Sequence, residues 1–224
     1  MGAAATRIST LTWARSPNIV VGMLAVLTAS VVFLILSRQA SMSSTGAGFW
    51  FEAGTYRLPA DSTTKLGGPL TRDEIAAIER IARSELERAF VDLRISFNTN
   101  RNAFWRVAVV QAPRGRGPLP VAGQSFGLGP LGGRGVVGFE ILASNGVAHA
   151  PPDATRSIMI DAIGRGIGRA AAHEFAHQIL GTGVAHDYAD ADSYEYYSSN
   201  RASQYYGDLH WSVAWPLLQR KLGR

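Results

Sequence analysis

Cysteine is absent from this chain of 224 residues, which excludes disulfide frameworks, thiolate metal sites and cysteine nucleophiles together. The absence leaves the compartment open. A large basic surplus is missing too. The net charge is +5, but Arg7, Arg15 and Arg38 lie in or beside an apolar N-terminal stretch, and setting them aside leaves 19 basic against 17 acidic residues. That near balance is no nucleic-acid footprint. There is no internal repeat and no long polar tract, and with 46 % hydrophobic residues the chain suits one ordinary core, hardly two.

Charge is wholly lacking from Ile19 to Leu36, IVVGMLAVLTASVVFLIL. At about 1.5 Å of rise per helical residue this run approaches the hydrocarbon thickness of a bilayer, and residues 19–36 read as a transmembrane signal-anchor helix. A cleaved signal peptide is the alternative, but the run exceeds the usual apolar region of such peptides, and the following SRQASMSS has no small-x-small cleavage site. Arg7 and Arg15 precede the span and only Arg38 follows closely. This bias assigns residues 1–18 to a cytoplasmic tail and the bulk of the chain to the extracytoplasmic side. Residues 37–48, largely small and polar, read as a linker, and residues 49–224 as one α+β domain.

Within that domain, Phe51 to Leu58 reads as a first strand. Thr71 with Glu74 three residues on forms a capping box, and Ile75, Ile78, Ala82, Leu86 and Phe90 keep helical spacing after it, an apolar stripe suited to packing on a sheet. Leu93, Ile95 and Phe97 alternate with polar residues, Asn98 to Asn102 supplies a turn, and Phe104 to Val110 and then Gly135 to Leu142 read as further strands. Between those last two lies PRGRGPLPVAGQSFGLGPLGGRG, too irregular for an element and too long for a plain hairpin. It reads as a rim loop over a cleft or as a surface excursion without a role. The expected sheet is small and mostly antiparallel. A closing apolar helix ends in LLQRKLG.

Residues 162–181, AIGRGIGRAAAHEFAHQILG, read as a helix with Ile167, Ala171, Phe175 and Ile179 on its apolar face and Gly181 as its stop. Arg165 and Arg169 exclude a second membrane span. The helix carries His173-Glu174-Phe175-Ala176-His177. A four-residue separation sets both imidazoles on one helix face, one turn apart, where two nitrogens reach one ion. Zinc takes such ligands tetrahedrally, and a catalytic site keeps three protein ligands and a position for water. Glu174 stands beside that position as candidate general base and then acid. The bland alternative is a chance HExxH whose histidines are hydrogen-bonded or solvated. Against it stand the helix, the strands before it, and the glycine that turns the chain toward His186.

The segment HEFAHQILGTGVAHD resembles the zinc helix, glycine turn and third ligand of the zincin metallopeptidases. The similarity runs from about Ser157 to Tyr197. It differs from the metzincin pattern HExxHxxGxxH in that the glycine comes one residue later and His186 lies thirteen residues beyond His173; no methionine follows Met159, so a Met-turn is lacking. Gly181, Thr182, Asp187 and the stretch from Ala191 to Tyr197 are similar to the aspzincin arrangement. The resemblance implies a Zn2+-dependent peptidase acting on a peptide or protein substrate, with a zincin-like domain whose sheet covers the zinc helix. His173, His177 and His186 are then the metal ligands, with Asp187 or Glu195 as the alternative third ligand and Asp187 also a candidate to orient a ligand imidazole. Asp187, Asp190 and Asp192 read as a solvated acidic loop without EF-hand spacing. Among Tyr188, Tyr194, Tyr196, Tyr197, Tyr205 and Tyr206, one phenol is a candidate for holding an oxyanion. His149 and His210 read as ordinary side chains. A membrane-anchored binding or assembly module with a structural or catalytically idle zinc site is the rival function. Oligomeric state is not legible.

Overall fold

A computed structural model describes Leu24 and residues 26–32, 46–113, 121–127, 132–181 and 186–223. Five strands are built from Ala47–Phe51 (β1), Phe97–Asn98 (β2), Trp105–Val110 (β3), Gly123–Gly127 (β4) and Gly133–Gly138 (β5). The helices are Ala60–Leu66 (α1), Arg72–Ala89 (α2), Phe139–Ala148 (α3), Arg156–Leu180 (α4), Ser203–Tyr206 (α5) and Trp215–Leu222 (α6). The class is α+β. The sheet order is β2-β1-β3-β5-β4. It corrects the antiparallel expectation, because β1 runs parallel to β2 and β3, β3 runs parallel to β5, and only β4 is antiparallel. The reason lies in the connections: α1 and α2 intervene between β1 and β3, and a helical crossover returns the chain in the same direction.

Two further expectations change. The chain is extended from Gly133 only to Gly138, and Phe139 to Leu142 belongs to α3, whose first turn holds Glu140. A short apolar run does not distinguish strand from buried helix by its periodicity. The Gly and Pro rich stretch, expected to hold no element, contains β4. The first strand lies at Ala47–Phe51 and not at Phe51 to Leu58, so the domain starts at the last two residues of the expected linker.

The Thr71 capping box is formed: its hydroxyl accepts from the Glu74 backbone N–H, and Glu74 accepts from the Thr71 N–H at 2.8 Å. From it α2 runs as a surface helix and buries Ile78, Ala82 and Leu86. By contrast α4 is encased. Its Ile163, Ile167, Ala171 and Phe175 are fully buried, together with Phe49, Val107, Val109 and Val137 of the sheet and Phe139 and Leu142 of α3. Thr155 caps its N-terminus by accepting from the Ile158 N–H, and Gly181, at φ 95°, ends it. Such close approach explains the glycines of AIGRGIG. A Cβ at Gly168 would stand 2.3 Å from the Ala82 carbonyl oxygen, and one at Gly164 2.7 Å from Ile81 Cβ, so these two positions let α2 lie against α4.

Leu24 and residues 26–32 are helical and exposed, and the hydroxyls of Thr28 and Ser30 donate to the Leu24 and Val26 carbonyls at 2.8 Å. The rest of the expected anchor at 19–36, the tail at 1–18 and the linker up to residue 45 lie outside the described residues. Among those described, no helix is long and apolar enough to cross a membrane.

Adding one methyl group where two helices touch backbone to backbone overpacks the contact. Gly168→Ala is expected to lower the unfolding free energy by about 1–3 kcal/mol, read as a fall in the urea midpoint at unchanged slope. An unchanged midpoint would contradict the close contact of α2 and α4.

Candidate metal centre

Three imidazoles converge where the last two turns of α4 meet the returning chain. His177 Nε2 lies 3.0 Å from His173 Nε2 and 3.2 Å from His186 Nε2, and one ligand atom from each histidine falls within 4.8 Å of the others. The His173 and His186 rings are nearly parallel at 7°, and His177 stands edge-on to both. The first two come together by helix spacing alone. His186 stands beside them although it lies beyond the end of α4, and residues 182–185 lie outside the described residues.

The proton positions follow from the partners. His173 Nδ1 is 2.8 Å from the Tyr194 carbonyl oxygen, a pure acceptor, so Nδ1 carries the hydrogen and Nε2 presents a lone pair to the cluster. The carbonyl of Tyr194 thus does the orienting expected of Asp187. Burial and then the neighbouring histidine hold His173 down at about 3, and burial followed by His186 holds His177 at about 4. Both imidazoles are therefore neutral at physiological pH. Neutral rings whose nitrogens face one another at about 3 Å share too few protons to bond every contact, and a cation at the centre removes the lone-pair repulsion. The donor set fits zinc, for which three imidazole nitrogens leave one position open.

The two alternative ligands are engaged elsewhere. Asp187 accepts from Ser212 Oγ at 2.8 Å and from the backbone N–H groups of Ala189 and Asp190 at 2.8 and 3.0 Å, and the Ser212 bond first among these holds its carboxyl below the ordinary range. Glu195 is buried and accepts from Ser193 Oγ and from the backbone of Ser212 and Ala214. Both carboxylates pin the loop carrying His186 and Tyr194 to the segment before α6. His149 bonds Asn200 and His210 pairs with Asp190, as ordinary side chains do.

Glu174 is 6 % exposed and lines the same cavity of about 510 Å³ as the three histidines. Burial raises its carboxyl to about 7, against a smaller opposing effect of the Ser125 hydroxyl. Its position depends on β4. A Cβ at Gly123 would lie 2.3 Å from Glu174 Oε1, and Ser125 Oγ donates to the Glu174 carbonyl at 2.9 Å. Behind the histidines, the Gln178 amide accepts from the Arg106 backbone N–H at 3.0 Å and donates to the Arg106 carbonyl at 3.2 Å and to Ser125 Oγ. It fixes the rotation of α4 against the sheet. One turn before the motif, buried Arg169 pairs with Glu85 of α2 at 3.0 Å and donates to the Ser203 and Gln204 carbonyls.

Gly123, Ser125 and Gln178 escaped the sequence reading, which took the β4 segment for a loop; the short GQSFG bounded by glycines was the available signal. Of the six tyrosines, Tyr194, Tyr196 and Tyr197 line the cavity, whereas Tyr205 is fully buried and Tyr206 donates to the Gly146 carbonyl. No protein-family model and no curated protein matches this chain.

Two measurements follow from this geometry. The full chain with His186→Ala is expected to lose its zinc at micromolar free metal, whereas Asp187→Ala keeps the wild-type stoichiometry; zinc loss in the latter would make Asp187 a ligand. Gly123→Ala, which pushes on the carboxylate without touching a ligand, is expected to keep the metal and shift the acidic limb of any metal-dependent activity. Metal loss in that variant would tie β4 to the ligands instead of to Glu174.

Proposed function

We propose that this protein is a membrane-attached, zinc-dependent peptidase that cleaves a peptide or protein substrate bound along β4. The observation that carries the reading is the meeting of three neutral imidazoles with a buried carboxylate held near neutrality in one open cavity. His173, His177 and His186 would hold the zinc, which supplies Lewis acidity and lowers the pKa of a water in its open position.

The chain's own groups account for the rest. Glu174, balanced near pH 7, accepts a proton from the attacking water and returns it to the leaving nitrogen, a role that requires a carboxyl ready to change state at working pH. Its neighbours Gly123 to Ser125 of β4, with Val121 and Ala122 just before the strand, line the cavity. Among the described residues β4 pairs only with β5, and on its outer edge an extended peptide would add as a further strand. β5 offers no such edge, since it is bonded on both sides. Tyr196 and Tyr197 also line the cavity and are candidates to donate to a developing oxyanion.

Attachment to the membrane is supported by the uncharged run from Ile19 to Leu36. The back-bonding of Thr28 and Ser30, its two hydroxyl residues, satisfies their polar groups inside a helix, as an apolar surrounding demands.

The test is Glu174→Gln in the full chain, assayed on a mixed peptide library. Its turnover is expected to fall about 10²–10⁴-fold with the zinc content unchanged. The wild-type rate should decline as pH falls below about 7, where Glu174 gains its proton and can no longer act as base. Cleavage unaffected by the substitution would exclude the mechanism, and a zinc-bound wild type that cleaves no peptide or amide would favour a binding module.

A further inference from the structure

The sheet face turned away from α4 carries none of the chemistry above. Strand alternation sets Trp50, Arg106, Ala108, Phe126, Arg134 and Val136 on that face, because Phe49, Val107, Val109 and Val137 are buried on the other. Register aligns them further. Arg106 stands beside Arg134, and Arg134 beside Phe126, in one row; Trp50, Ala108 and Val136 form the next. Neighbouring strands are about 4.8 Å apart, and like charges paired side by side across strands are destabilising.

No carboxylate relieves this pair. Among the described residues neither Arg106 nor Arg134 joins an ion pair. Arg106 donates to the Ala103 carbonyl at 3.1 Å, and the exposed Arg134 lies over the Phe126 ring at 5.5 Å. Arg101, over Trp50 at 5.6 Å, takes Glu52 as its own partner at 3.5 Å. A groove of about 250 Å³ runs between Trp50 and Phe126 and is bordered by both unpaired arginines. The asymmetry is written in the chain: from Leu93 to Phe139 there are six arginines and no aspartate or glutamate.

We propose that this face docks on the anionic phospholipid headgroups of the membrane to which the chain is attached. Guanidinium forks match phosphate oxygens, and tryptophan suits the boundary between headgroup and hydrocarbon. Reach favours a lipid surface over other polyanions. Ten residues separate Leu36 from Ala47, a tether of at most about 35 Å that leads into β1 within four residues of Trp50. Docking holds the sheet flat on the headgroups and leaves the cavity on the α4 side. The inference rests on the membrane attachment proposed above.

Because the chain has no cysteine, Val136→Cys gives a single labelling position on this face and the exposed Val213→Cys a control. The full chain carrying a fluorophore at each would be mixed with vesicles of phosphatidylcholine alone or with phosphatidylglycerol added, both doped with a headgroup quencher. Quenching at 136 is expected to be several-fold greater with phosphatidylglycerol and unchanged at 213. Arg106→Gln with Arg134→Gln should lower the docked-to-undocked ratio about 25-fold, from about fivefold for each guanidinium at an anionic surface, while the paired lysine variant retains it. Zinc content equal to wild type certifies the fold of each variant. Equal quenching in the two lipids, with the protein still sedimenting with both, overturns docking and leaves attachment standing; failure to sediment with either overturns both. Capture of a single-stranded oligonucleotide by this face without lipid-dependent quenching would overturn the proposal in favour of nucleic acid.

Discussion

The constraint on which the rest of the structure depends is the burial of α4 on nearly every side. A helix with 17 buried residues leaves no water for the polar side chains among them, which turn to partners within the protein. Arg169 finds Glu85, Gln178 finds the Arg106 backbone, and His173 finds the Tyr194 carbonyl. Each of these bonds reaches a different element: α2, the sheet, and the loop before α5. Together they set the position and rotation of the helix, and so the direction in which His173, Glu174 and His177 point. Removing one partner of a buried ion pair costs more than the pair ever contributed, so these contacts act as registration marks more than as sources of stability.

The same burial prepares the chemistry. It holds two imidazoles neutral, the form that donates a lone pair to a metal, and it raises the neighbouring carboxyl toward the pH at which it can exchange a proton. Opposite shifts on adjacent residues of one helical turn arise from one cause, because a low-dielectric surrounding penalises the charged form of acid and base alike. The cavity opens on this turn because β4, with Gly123 against Glu174, supplies a wall of backbone in place of side chains.

The two faces of the sheet differ in what they carry. One is covered by α4 and its apolar contacts. The other brings Arg106 and Arg134 together with aromatic rings and, among the described residues, no acidic partner, a distribution invisible in the net charge, because acidic residues elsewhere in the sequence offset it.

The sequence by itself determined whatever depends on neighbours along the chain. The Thr71 capping box, the α2 stripe, the termination of α4 at Gly181 and the pairing of His173 with His177 all follow from hydrogen bonds or side chains three or four residues apart, a distance the helix fixes. Strand direction, the boundary between β5 and α3 and the existence of β4 did not follow, because a short strand is defined by what it pairs with and Phe139 to Leu142 is apolar in either conformation. Nor did the choice among His186, Asp187 and Glu195, which are near one another in sequence and chemically plausible alike. Tertiary structure places them differently: the hydroxyl and amides at Ser212 and Ala214 engage the two carboxylates, and of the three it is the His186 imidazole that faces the other two histidines.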